Sequence, residues 1–226
     1  MTKNRLITFG CSLTYGQALE DREQESWPAQ LGKLLNYEVV NQGRCGSSVK
    51  RIWWEVLNFP FKENDLVIIG WTHKDRWCII KEDTTNLEPG SKNYDEWNVD
   101  SINDMYKKIK EKNLFQDLGP WLAENNHLAK TWYQNFHDDF DMALNCFLCI
   151  NHIDYYLKDK NIRHFHLDMT EHEYFPKFNQ VKFLPVNMNN IRHQFPLATD
   201  GWHPGKLAFE HFSKEIYKLL HKEEIY

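Results

Sequence analysis

Apolar positions in this chain follow two rhythms, and their order predicts a layered α/β protein. Leu6, Ile7 and Phe9 lie in Arg5 to Gly10, a strand pattern close to the N-terminus that runs into Gly10. Between Ser26 and Leu35 the period changes: Trp27, Leu31, Leu34 and Leu35 share one helical face, with Ser26 at the capping position and Pro28 inside the first turn. Tyr37 to Asn41 predicts the second strand. Val49, Ile52, Trp53 and Val56 predict a helix that begins near Ser47-Ser48 and ends before Pro60. Leu66 to Gly70 is a continuous apolar run, suited to a strand covered on both faces. Strand, helix, strand, helix, strand implies right-handed crossovers and a parallel sheet.

The pattern weakens from Lys74 to about His137. Lys81 to Asn98 is polar, contains Pro89-Gly90 and reads as a long loop. Ile102, Met105, Tyr106 and Ile109 predict a short amphipathic helix, and Gly119-Pro120 a turn. Leu128, Trp132, Phe136, Phe140, Leu144 and Phe147 then keep a helical spacing that predicts one or two long helices, the last covering the sheet. Ile162 to Asp168 alternates Ile, Phe and Leu against Arg163, His164 and His166, the pattern of a half-exposed strand, and Val181 to Pro185 reads as a further short one. Pro204 is expected to open a final helix with Ala208, Phe212, Ile216 and Leu219 inward. The whole predicts one domain over residues 1–226: three-layer α/β/α around a flavodoxin-like parallel sheet, with a helical and loop insertion at about 74–159.

Composition narrows the function classes. A net charge of −5 with histidines neutral argues against a broad electrostatic grip on nucleic acid. Five cysteines without a small-scaffold pattern point to free thiols. No apolar signal segment precedes the first strand, and no run approaches the roughly 18 apolar residues of a membrane helix. A cytoplasmic protein without membrane partners is expected.

The candidate chemistry lies at the ends of the predicted strands. Ser12 follows the first strand, where ligands of parallel α/β sheets collect, and a serine needs a neighbouring base to act as a nucleophile. Asp200-Gly201-Trp202-His203 supplies a carboxylate three residues from an imidazole, a spacing that lets Asp200 hold one ring nitrogen while the other faces Ser12. Two further glycine-centred turns, Asn41 to Gly46 and Gly70 to His73, follow the second and third strands.

Gly10-Cys11-Ser12-Leu13, Asn41-x-Gly43-x-x-Gly46, Gly70 and Asp200-x-x-His203 together resemble the motif blocks of the SGNH, or GDSL-type, serine hydrolases. The resemblance covers the first seventy-odd residues and the last thirty. It implies Ser12 as nucleophile, His203 as base, Asp200 as its orienter, and the Ser12 and Gly43 amides as oxyanion donors in an esterase that needs no metal or organic cofactor. The family's asparagine donor falls at Thr72, with His73 beside it as a substitute donor, and its aspartate before the serine is Cys11, a rival nucleophile. Family substrates include lipid esters, aryl esters and acetylated sugars; aromatic loop residues point here to a small acyl group on a carbohydrate, or another small-molecule ester. The alternative is an SGNH-fold binding or structural protein with weak or no catalysis. Cys146-x-x-Cys149 reads as buried structural thiols, and His164 with His166 do not by themselves make a metal site. Arg44, Lys74 and Arg76 are expected near the pocket rim, facing an anionic substrate.

Overall fold

The computed structural model describes residues 3–80, 115–170 and 181–223. Strands β1 (Arg5–Gly10), β2 (Glu38–Gly43), β3 (Leu66–Trp71) and β6 (Arg163–Asp168) form one parallel sheet in the order β2-β1-β3-β6. Between them run helices α1 (Ser12–Tyr15), α2 (Arg22–Glu25), α3 (Trp27–Leu35), α4 (Val49–Leu57), α5 (His127–Asn135) and α6 (Asp139–Asp159); α7 (Met188–Arg192) and α8 (Lys206–Glu223) follow β6. Strands β4 (Trp77–Ile80) and β5 (Phe115–Leu118) pair antiparallel as a separate ribbon. The expected strand at Val181 to Pro185 is a single parallel bridge between Phe183 and His166. The helix expected over Ile102 to Ile109 and the loop at Lys81 to Asn98 lie outside the described residues.

Alternate residues of each central strand feed two separate cores, which makes the layers. Leu6, Leu66 and Ile68 face Trp27, Leu31, Phe209 and Phe212 from α3 and α8. Ile7, Phe9, Val67 and Ile69 face Ile52 and Val56 of α4 and Ile150, Ile153 and Leu157 of α6. All six residues of β3 are buried, as its unbroken apolar run predicts. The terminal helix is pinned to the first half of the chain by the edge-on contact of Phe212 with Trp27, centroids 5.8 Å apart, and by the Ser213 hydroxyl, which donates to the Trp27 carbonyl at 3.0 Å.

Four local expectations change. Ser26 occupies the α3 cap position without a side-chain capping bond, whereas Ser48 caps α4 by accepting from the Arg51 amide. Pro204 pairs with Leu197 in a short bridge and the last helix begins at Lys206, because the chain closes a loop before it turns helical. Phe136, Phe140, Leu144 and Phe147 lie on the outer, exposed side; the inner face of α6 is Met142, Cys146, Ile150, Ile153 and Leu157. Strand β6 is covered on both faces, with Phe165, His166 and Leu167 all buried.

The buried His166 belongs to a polar network. The Trp71 indole N–H donates to His166 Nδ1 at 2.8 Å, so the neutral ring carries its proton on Nε2, which points to the Asp154 carboxylate 3.6 Å away. Lys158 Nζ and His164 Nε2 reach the same carboxylate at 2.6 and 3.1 Å. Burial alone would raise the Asp154 carboxyl; the contacts with His166, Lys158 and His164 overcome it and hold the group far below the usual range. Burial pushes His166 the other way, down to about 4 despite the attraction of Asp154.

His166 therefore stays neutral in the folded chain while the unfolded chain takes up a proton below its ordinary value near 6.5. The unfolded state binds more protons in that window, so His166 makes folding stability fall as pH drops from about 6.5 to about 4. Denaturant titrations between pH 7 and 4 are expected to show a shallower fall in His166→Gln, which keeps an acceptor for Trp71. An unchanged pH slope in the variant would remove His166 as the source.

Candidate active site

The site begins with a close approach. Helix α1 folds back directly onto the carboxyl ends of β1, β2 and β3, and the three strand-end glycines make room for it. A Cβ on Gly10 would lie 2.1 Å from Thr14 Oγ1, one on Gly43 2.5 Å from the Tyr15 amide nitrogen, and one on Gly70 2.8 Å from Thr14 Oγ1. None of these three has a positive φ, so the requirement is space, not backbone freedom. Asn41 fastens the arrangement: its Nδ2 donates to the Thr14 carbonyl at 2.8 Å, while its Oδ1 accepts from the Gly43 amide at 2.9 Å and the Thr8 hydroxyl at 3.2 Å.

Ser12 is the first residue of α1, lifted over the sheet edge by the extended Cys11 before it. The residue is 5% exposed, and its hydroxyl has no hydrogen-bond partner among the described residues. Cys11, the rival nucleophile, is fully buried in the α3–α8 core and offers no reactive surface.

Asp200 and His203 meet as their spacing implies. Asp200 Oδ1 accepts from the Trp202 and His203 amides at 2.9 and 3.0 Å, and Oδ2 accepts from His203 Nδ1 at 2.6 Å. Gly201, at φ +70°, supplies the left-handed residue that closes this turn. The hydrogen bond from the His203 amide, with those from the Trp202 amide and the ring, holds the Asp200 carboxyl down at about 2. Asp200 is thus ionised across the neutral range, and Nδ1 carries the ring proton, leaving Nε2 as the acceptor. Ala198 N donates to the His203 carbonyl at 2.8 Å and Gly205 N to Pro196, so residues 196–205 form one tied loop.

This loop docks beside the Ser12 segment. The Thr199 hydroxyl donates to the Ala18 carbonyl across 181 positions of sequence, and Lys206 Nζ pairs with Glu25 at 2.9 Å. Ser12 and His203 are not hydrogen-bonded to each other.

The expected oxyanion groups are arranged differently. The Gly43 amide is engaged by Asn41, so its place is in the clamp just described. In the same turn Gly46, at φ +77°, has an amide without a partner among the described residues. Thr72 is fully buried and its hydroxyl is unpartnered, sealed from any ligand. His73 is half-exposed with Nδ1 3.0 Å from Asp75 Oδ2, and desolvation, opposed by Asp75, keeps the ring below its ordinary value.

Two clusters have metal-like composition, Asp154-His164-His166 and Asp75-His137-Asp139. Neither donor set fits a metal. In the first, the Trp71 bond leaves His166 Nε2 protonated and unable to ligate. In the second, the Lys74 ammonium already sits between Asp75 and Asp139.

No family model and no curated protein matches the chain by sequence. Its structure is similar to that of a G-D-S-L family protein from Desulfitobacterium hafniense (TM-score 0.53, 12% identity, covering 96% of this chain and 99% of that one). It is also similar to TesA (0.55, 12%, 97% and 99%) and to the lipase Lip_vut3 from a goat rumen metagenome (0.51, 14%, 96% and 97%). The fold is the α/β fold of the SGNH hydrolase type, shared over nearly the full length of both chains. Among the described residues no helix is long and apolar enough to cross a membrane.

The contrast between Gly43 and Thr72 is measurable. Gly43→Ala is expected to lose roughly 1–3 kcal/mol in urea denaturation, because the added methyl pushes α1 off the sheet. Thr72→Val removes a hydroxyl that already lacks a partner and is expected to leave stability unchanged or raised. A neutral Gly43→Ala would refute the close-packing account.

Proposed function

We propose that the chain is a serine esterase in which Ser12, His203 and Asp200 act as nucleophile, base and orienter. One observation carries the reading: an imidazole whose tautomer is set by a 2.6 Å bond to an ionised carboxylate stands on a loop tied to the segment that follows Ser12, whose hydroxyl has no partner among the described residues. In the mechanism His203 Nε2 takes the Ser12 proton as the oxygen attacks an ester carbonyl. The imidazolium is stabilised by Asp200, then returns the proton to the departing alcohol. Water, activated by the same nitrogen, releases the acyl group and restores the serine. The Ser12–His203 hydrogen bond, absent here, forms as substrate enters, a tightening usual for catalytic hydrogen bonds.

The tetrahedral oxyanion is assigned to the amides of Ser12 and Gly46, since those of the remaining candidates are occupied or sealed. With Thr72 buried and His73 Nδ1 held by Asp75, the side-chain donor of the family pattern is not replaced at this turn, and loss of one such donor costs about a hundred- to thousandfold in rate. A slow esterase is the expectation. Trp202, 73% exposed next to His203, offers an indole face to a sugar ring, which supports an acyl group carried on a carbohydrate.

Thr72 also favours the second reading, a binding protein that keeps this fold with little turnover. A fluorophosphonate probe followed by peptide mass spectrometry separates the two. An adduct on Ser12 in the native chain, reduced at least a hundredfold in rate by His203→Ala, is the esterase outcome. No adduct on Ser12 at any pH between 6 and 9 leaves the binding protein.

A further inference from the structure

Of the three cations expected at the rim, two are neutralised by neighbours and one is not. Arg44 pairs with Glu55 at 3.1 Å, and Lys74 with Asp75 and Asp139. Arg76 has no carboxylate partner among the described residues, and its Nε and Nη1 are shut off from solvent without a hydrogen-bond acceptor. Trp121 covers one face of the guanidinium, its ring centroid 4.8 Å away. Buried donors without acceptors are rare in proteins, and a guanidinium is charged at any accessible pH.

Arg76 lines a cavity of about 210 Å³ between α4, α6 and the start of β4. Lys50 stands on the same cavity, its ammonium 5.1 Å from the Trp77 ring and likewise without a carboxylate among the described residues. The nearby acids are committed elsewhere: Asp75 to His73, Lys74 and His137, and Asp117 to Arg51 at 2.7 Å. Apart from Lys74, which is paired with Asp75 and Asp139, and Asn145, the rest of the wall is apolar, with Val49, Met142 and Cys146 among its residues. A bare inorganic ion would satisfy the two cations and leave that wall wet. At this volume the cavity is smaller than sites for drug-sized ligands and takes a fragment.

We propose that this cavity binds a small organic anion, a carboxylate or phosphate monoester whose oxygens meet Lys50 and the Arg76 guanidinium, turned toward the cavity as the ligand enters, while its apolar body lies against Met142 and Trp77. Binding involves no turnover, so the proposal stands whether or not Ser12 is a nucleophile.

The test is isothermal titration calorimetry of the full chain with benzoate and with phenyl phosphate, against benzamide as the neutral isostere of benzoate. At least one anion is expected to bind ten times more tightly than benzamide, in the native chain and in Ser12→Ala alike. The two anions distinguish a carboxylate from a phosphate ligand. Arg76→Gln is expected to cost tenfold or more in affinity, and Arg76→Lys, which keeps the charge, less. Should Arg76→Gln fail to fold, judged by its melting curve, Lys50→Gln and the comparison of anion with benzamide in the native chain decide. Equal binding of benzamide, no binding of either anion at millimolar concentration, or full affinity in a folded Arg76→Gln would overturn the proposal. A chain that binds the anion but takes no fluorophosphonate keeps the cavity and loses only the esterase.

Discussion

The contact on which the structure depends is the seating of one short helix on three strand ends. Gly10 and Gly43 are paired across the β1–β2 ladder, and Gly70 follows the Phe9–Ile69 pair on the other side, so three residues far apart in sequence form one row. Across this row Thr14 and Tyr15 approach so closely that any side chain would collide. A methyl in such a place typically costs 1–3 kcal/mol, roughly a tenth or more of a domain's whole stability. The glycines are thus spacers, and Asn41 adds the hydrogen bonds that hold α1 in the space they leave. Ser12 inherits its position from this packing, since its own hydroxyl bonds to nothing among the described residues.

The other half of the site is held by different forces. Asp200 and His203 need only a short turn to find each other, and that turn is internally complete. Bringing it to Ser12 is a long-range task, performed mainly by burial: Phe212 and Trp27 are lost to solvent entirely, which fixes α8 against α3. The loop itself is joined to the Ser12 side by few polar contacts, the Thr199 hydroxyl and an exposed lysine among them, each worth about a kcal/mol or less. A rigid helix therefore carries a loop with some freedom, a division that the proposed role of His203 as base to Ser12 would use.

This difference explains what could be read from the residues alone. Strands β1, β2 and β3, helices α3 and α4, and the Asp200–His203 pair are local patterns, visible in periodicity and spacing. The inner face of α6 was not: Phe140, Leu144 and Phe147 keep a helical period as well as Met142, Cys146 and Ile150 do, and period alone cannot choose between two apolar stripes. Nor was the burial of His166, because its partners Trp71 and Asp154 sit on other elements, Trp71 at 95 positions' distance. Gly43 and Thr72 were placed at the right strand ends but given the wrong freedom. Whether an amide or hydroxyl is available depends on a neighbour's side chain and on solvent access, neither of which spacing encodes.

The two buried cationic regions make the same point in opposite directions. Around Asp154 every charge has a counter-charge within reach: lysine and histidine gather on one carboxylate, and the tautomer of His166 follows from Trp71. In this network the charges are matched, although His166 Nε2 stands 3.6 Å from the carboxylate without a full hydrogen bond, and the consequence is structural. Around Arg76 the accounting does not close, although the residues that could close it, Asp75 and Asp117, lie on neighbouring elements and have been taken by other bases. Desolvating a guanidinium edge without an acceptor is costly, more so than for a neutral donor, and a fold that merely needed to fill space would do better with an apolar residue. What sets Arg76 apart is its place on a cavity wall beside Lys50, both cations without a carboxylate among the described residues, where another molecule can bring the missing charge.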